Sequence, residues 1–171
     1  MSFNQQALRQ TNQLMTILKA DRLQSDSIGL LMATMAQSEL FRPITSTYES
    51  IKSSGNLGVI SNYNLKETIV KYYQYYEYSR VLEEVSERFI NQYIFPFFYE
   101  NFDMMSGDFI NRERLNDIKF RNLIVGYRGM TAQNLEFYKE VRAACKDLQG
   151  QLATELKKTG LFTPQNSLTG K

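Results

Sequence analysis

Asn64-Leu65-Lys66-Glu67-Thr68-Ile69-Val70-Lys71-Tyr72-Tyr73-Gln74-Tyr75-Tyr76-Glu77-Tyr78-Ser79-Arg80-Val81-Leu82-Glu83-Glu84-Val85, read on to Tyr93, contains neither proline nor glycine. Leu65, Ile69, Tyr72, Tyr76, Ser79, Leu82, Val85, Phe89 and Tyr93 recur every three or four positions, the spacing that lines up one stripe of a helix. A strand would alternate every second residue, and this stretch does not. The start is expected at Asn62 or Asn64, with Asn64 as cap and Glu67 reaching back to it. Pro96 is expected to kink or end the helix.

Toward the C-terminus a second long helix presents Leu135, Tyr138, Val141, Cys145, Leu148, Leu152 and Leu156 along one seam. It is expected to begin as early as Asp117, with Gly126 and Gly129 allowing a break. Toward the N-terminus, Leu8, Met15 and Leu18 mark one shorter helix, and a second runs from Asp26 or Ser27 through Leu31 and Met35 to Leu40. The break between them falls at Asp21 to Ser25. Phe41-Arg42-Pro43-Ile44-Thr45 then forms a connection, because proline disfavours helix at the residue before it. Ser46-Thr47-Tyr48-Glu49 reads as a capping box, and Gly55 is placed to stop the short helix that follows. The sum is an all-α fold, an irregular four-helix-bundle-like domain with two long helices and shorter N-terminal ones. One helical domain is expected over residues 1–160, followed by a flexible tail over residues 161–171.

Composition narrows the chemistry. The chain has 171 residues, 43% hydrophobic and 13% aromatic, which is ample for a buried core. Twenty Lys and Arg against eighteen Asp and Glu leave a formal charge of +2, with no strong field to draw in nucleic acid or an anionic surface. No apolar run approaches a spanning helix, and Met1-Ser2-Phe3-Asn4-Gln5-Gln6 lacks the features of a signal peptide, so the chain as given reads as soluble. Histidine is absent and Cys145 is the single cysteine. These counts exclude an internal disulfide, multi-cysteine metal clusters and every mechanism built on imidazole.

The densest feature is Tyr72-Tyr73-Gln74-Tyr75-Tyr76-Glu77-Tyr78, five tyrosines in seven residues. On a helix they radiate around the cylinder, so Tyr72 and Tyr76 join the core stripe while Tyr73, Tyr75 and Tyr78 remain for surface or interface contacts. The apolar run Ile94 to Tyr99 reads as a buried bundle end in preference to an exposed patch. Glu100, Asp103 and Asp108 lack the spacing of a calcium loop, and the basic residues Arg112, Arg114, Lys119, Arg121 and Arg128 read as a solvated helix face. Cys145, on an apolar seam without an imidazole, behaves as a small hydrophobe. Glu83, Glu84 and Glu87 lack the Glu-x-x-His partner of di-iron bundles, and Gly55-Asn56-Leu57-Gly58 lacks the lysine of a P-loop.

Phe41 to Leu57, with Pro43, Thr45, Ser46, Tyr48-Glu49-Ser50-Ile51-Lys52-Ser53-Ser54-Gly55 and then Val59-Ile60-Ser61-Asn62 leading to Leu65, resembles a bacterial domain-of-unknown-function family. That family's hallmark is a Tyr-Glu-Ser-Leu/Ile-Lys-Ser-Ser-Gly motif feeding a long helix. The resemblance implies a small helical envelope protein, usually anchored by an N-terminal membrane helix, with no assigned activity. This chain departs by lacking the anchor, which is consistent with an excised domain or an unanchored relative. Capping and turn chemistry account for several motif positions; Lys52 is not accounted for in this way.

These readings lead to an expected non-enzymatic sensor, scaffold or interaction domain of the bacterial cell envelope, without a cofactor or metal. The alternative is a ligand-binding module with a tyrosine-lined pocket between helices, and a third reading is phosphate or nucleic-acid binding through Arg112 to Arg128. Candidate interaction residues are Arg42, Tyr48, Glu49, Lys52, Tyr73 and Tyr75. A protein partner or a second copy is expected, no nucleic acid, and membrane contact only through an anchor outside these residues. The periplasmic face of the inner membrane is the expected location, with the cytoplasm as alternative.

Overall fold

A computed structural model of the chain describes residues 2–20, 27–37, 40–103, 105–106, 108–158 and 160. The first helix, α1, spans Phe3–Lys19 because Ser2 and Gln5 cap it reciprocally: Ser2 Oγ accepts from the Gln5 N–H, and Gln5 Oε1 accepts from the Ser2 N–H. Its buried face is Ala7, Thr11, Leu14 and Leu18. The Leu8 stripe expected from the sequence sits one position off, because Thr11 can be buried: its hydroxyl donates to the Ala7 carbonyl at 2.7 Å.

Helix α2 covers Ser27–Ala33 and tightens into a 3-10 turn at Thr34–Ala36. Gln37 turns extended while its N–H bonds back to the Thr34 carbonyl, so the helix stops short of Leu40, which lies exposed outside any helix. The expected break at Asp21 to Ser25 and the expected tail 161–171 lie outside the described residues. Helix α3, Ser46–Ser53, begins without a capping box: Thr45 is the cap residue, in near-helical conformation and with no side-chain bond. Ser46 and Glu49 therefore both lie within the helix, and the Glu49 carboxylate turns to Lys52 at 3.9 Å. Gly55, at φ 69°, ends α3 as expected, its N–H donating to the Lys52 carbonyl.

Helix α4 spans Tyr63–Phe89. Asn62 caps it, with Oδ1 accepting from the Leu65 N–H at 3.2 Å, so Asn64 lies inside the first turn and the expected Asn64–Glu67 box does not form. The kink expected at Pro96 takes another form: a π-helical turn, Ile90–Ile94, precedes α5, Phe95–Asn101. Pro96 then sits in the first turn of α5, where a missing N–H costs least. The two-residue strands β1 (Phe102–Asp103) and β2 (Asp108–Phe109) pair antiparallel with Phe102 opposite Phe109. After a 3-10 turn at Arg112–Asn116, α6 runs Ile118–Lys158 with no break at Gly126 or Gly129. Gly126 has a packing reason: a β-carbon there would lie 3.1 Å from the edge of the Phe89 ring.

The fold is thus all-α and bundle-like, with two long helices and only a minimal hairpin. It falls into two compact units, a finer division than the single domain expected over residues 1–160; α4 and α6 each contribute to both. The first unit, Met1–Phe41 with Tyr78–Tyr138, holds a continuous buried cluster that includes Leu14, Met32, Ile90, Phe98, Phe120 and Ile124. The apolar run Ile94 to Tyr99 enters this core through Ile94 and Phe98, while Pro96 and Tyr99 face solvent. Among its described residues the second unit, Arg42–Glu77 with Lys139–Lys171, buries far less apolar surface: Tyr48, Leu65, Val141 and Leu148.

The stripe read along α4 faces inward from Leu65 to Leu82 and again at Phe89, and fails at Val85 and Tyr93. Val85 and Tyr93 are each 52% exposed, whereas Ser86, Ile90 and Ile94 are buried. Ser86 enters because its hydroxyl is satisfied twice, donating to the Leu82 carbonyl at 2.8 Å and meeting the Asn134 amide at 2.9 Å. On α6 the seam is buried at Val141 and Leu148, and its last two leucines, Leu152 and Leu156, are exposed.

Candidate functional site

All six candidate residues lie in the second unit, and four of them, Tyr48, Glu49, Lys52 and Tyr73, come together there. Tyr48 of α3 and Tyr73 of α4 stack face to face, ring centres 3.7 Å apart and 5° from parallel, and Tyr72 meets Tyr73 edge-on at 5.4 Å. Lys52 projects its ammonium over the Tyr48 ring at 5.8 Å and pairs with Glu49. The Tyr73 hydroxyl reaches the Ile44 carbonyl at 3.4 Å. Burial, and then the neighbouring Tyr48 and Glu49, push the Tyr73 phenol above its ordinary pKa. Tyr72 is raised as well, by burial first and then by the Cys145 thiol beside it. Lys52, which capping chemistry leaves unexplained, thus has a packing role on the Tyr48 ring. Tyr75 takes Lys71 at 6.0 Å from its ring, while Arg42 is exposed on the connection before α3. Each ring of the stack covers one face of the other.

Some of the side chains that line the unit's polar clefts are tied together. Asn62 Nδ2 donates to Glu155 Oε2 at 2.8 Å, and that bond, with a lesser contribution from Lys158, holds the Glu155 carboxyl below its usual range. Gln151 Nε2 reaches the Thr68 hydroxyl at 3.0 Å.

In the first unit two of the carboxylates weighed from the sequence, Glu83 and Asp103, hold structural hydrogen bonds. Glu83 Oε1 accepts from the Phe41 N–H at 2.8 Å and from the Tyr138 hydroxyl at 2.6 Å. Asp103 closes the β1–β2 turn, accepting from the Met105 N–H and the Ser106 hydroxyl, and the first of these bonds does most to lower its pKa. Among the described residues no three acidic or thiol groups gather as a metal site. The basic segment is partly engaged: Arg114 pairs with Asp117 at 2.9 Å, and Arg128 Nε donates to Asn12 Oδ1 at 2.7 Å.

Sequence reading placed Tyr78 at the surface but missed the apolar face of α4 that it shares with Val81 and Val85. Tyr78, Val81 and Val85 follow i, i+3 and i+7 spacing, which places them on one helical face, and each is about half exposed at 51%, 52% and 52%. The Tyr78 ring braces one end of that face by meeting Phe137 edge-on at 5.0 Å. Apolar identity assigned Val85 to the core; only the hydrogen bonds of Ser86, invisible to hydropathy, show which side faces in.

The class defined by these features is an all-helical domain with an exposed apolar face on its central helix. Comparison with protein-family models, with curated proteins and with solved structures returns no match. Among the described residues no helix is long and apolar enough to cross a membrane.

Proposed function

We propose that this chain is a non-enzymatic interaction domain that presents the Tyr78–Val81–Val85 face of α4 to a protein partner. The observation that carries this reading is the alignment of three large apolar side chains, each half exposed, on a helix whose opposite face is buried. Exposed apolar area ordered in this way costs solubility unless a partner covers it, and tyrosine flanked by aliphatic residues is the composition of helix-docking surfaces. A setting in the bacterial cell envelope rests on the resemblance of Phe41 to Leu65 to the envelope family. The non-enzymatic part is supported by the engagement of Glu83 and Asp103 in structural hydrogen bonds. The reading as a tyrosine-lined ligand pocket loses support from the closed Tyr48–Tyr73 stack.

The test is photo-crosslinking in the native cell, with a benzophenone amino acid placed in turn at Val81, Val85 and the exposed Gln149. One discrete adduct from Val81 and Val85, absent from Gln149, is expected, and its mass distinguishes a second copy from another protein. No adduct from Val81 and Val85, or the same pattern from all three positions, would overturn the proposal.

A further inference from the structure

We infer that the cleft between α1 and the start of α6 binds a single-chain amphiphile with an anionic head. The inference is independent of the α4 face, since it concerns other residues of the first unit. The cleft, half open to solvent, offers about 560 Å³, within the roughly 300–1,000 Å³ typical of small-ligand sites. Its apolar wall is Met15, Leu18, Ile124 and Val125. Leu18 and Ile124 belong to the buried cluster, so the wall continues into packed core and is held in shape by it. Val125, 55% exposed, marks the outer edge.

Among the described residues that line the cleft, the charged ones, Lys19 and Arg121, are both cationic, and the remaining polar one, Asn116, is neutral. Neither cation is ion-paired among the described residues. A wall of aliphatic and thioether carbon lined also by two exposed cations is complementary to a molecule that is apolar along its length and negative at one end. A small hydrophilic anion would leave the wall uncovered, and a neutral chain would leave both cations without a counter-charge. Arg121 suits a carboxylate or phosphate through its planar pair of N–H donors, and Lys19 adds a point charge from the last turn of α1.

Isothermal titration of the full chain, below the micelle threshold of each probe, tests this. Dodecanoate and dodecyl phosphate are expected to bind at least tenfold more tightly than dodecyl maltoside or dodecyltrimethylammonium, and acetate and inorganic phosphate not measurably. Shortening the carboxylate from twelve carbons to eight should weaken binding about three- to fourfold per methylene. The charge-reversed variant Lys19→Glu/Arg121→Glu is expected to lose the preference for anionic heads. Val125→Glu should weaken every alkyl probe. The ratio of the two dodecyl anions reports which head the site prefers; tight binding of either supports the inference. Equal affinity for dodecanoate and dodecyl maltoside in the unmodified chain would overturn it, a result that does not depend on how the variants fold. So would undiminished dodecanoate binding by a folded Lys19→Glu/Arg121→Glu protein.

Discussion

At the scale of single residues, the tightest polar junction in the first unit is Glu83, which holds the Phe41 N–H and the Tyr138 hydroxyl on one carboxylate oxygen. Hydrogen bonds to a charged acceptor contribute roughly 1.5–3 kcal/mol each, more than neutral ones. Tyr138→Phe is therefore expected to lower unfolding stability by about 2 kcal/mol in urea titration. Combined with Glu83→Ala it should cost less than the two changes summed, because both remove the same bond; strict additivity would show that the contact carries no energy. A second residue sets a pH limit. Burial pushes the Tyr127 phenol up to about 12. The folded value lies above the ordinary 10.0 of an exposed tyrosine. The native state thus binds the proton more tightly, and this contribution is complete below pH 10 and lost as pH climbs toward 12. Alkaline denaturation between those values should cost roughly 2–3 kcal/mol from this group. In Tyr127→Phe the slope of stability against pH over that window should flatten, and an unchanged slope would assign the loss to other groups.

At the scale of elements, the legibility of the sequence follows what periodicity can and cannot see. Both long helices, the glycine stop at Gly55 and the buried run through Ile94 and Phe98 were readable from spacing and residue type alone. The caps were less so, because Thr45, Ser46, Asn62 and Asn64 all carry suitable oxygens and only backbone conformation selects among them. Ser86 and Thr11 escaped hydropathy because intrahelical hydrogen bonds let a hydroxyl take an interior position. Of the candidate cluster, the gathering of Tyr48, Glu49, Lys52 and Tyr73 was foreshadowed by motif and tyrosine density, but their closure on one another depends on how α3 lies along α4. The expected break in α6 shows the same limit. Glycine weakens a helix by up to about 1 kcal/mol, yet α6 runs through both. The two glycines should respond differently to a methyl group. Gly129→Ala meets open space and is expected to stabilise by roughly 0.5–1 kcal/mol, whereas Gly126→Ala presses on the Phe89 ring and should gain nothing or lose stability. Thermal melting of the two variants checks this; equal gains would mean that the Phe89 ring gives way freely.

At the scale of the whole molecule, the two compact units differ sharply in what holds them. The buried cluster lies in the first, while the described residues of the second bury Tyr48, Leu65, Val141 and Leu148 beneath a surface that includes paired polar groups. Local opening follows buried apolar area, so the second unit is expected to open at lower free energy. Cys145, half-buried in that unit, is the natural reporter. Its thiol should be labelled by a disulfide reagent at denaturant concentrations where amide exchange from Phe120, Ile124 and Tyr127 is still slow. A single common midpoint would show that the molecule opens as one body. The π-helical turn at Ile90–Ile94 has a consequence of a different kind. Ser86, Ile90, Ile94 and Phe98 are buried at successive steps of four residues, and in an unbroken α-helix such steps drift about 40° apiece. The wide turn acts as a vernier that absorbs the drift and returns Phe98 to the inward bearing. Evolution of this chain is therefore sensitive to length at that point: losing one residue between Ile90 and Ile94 rotates everything through Asn101 by about 100°, even if every remaining side chain is conserved.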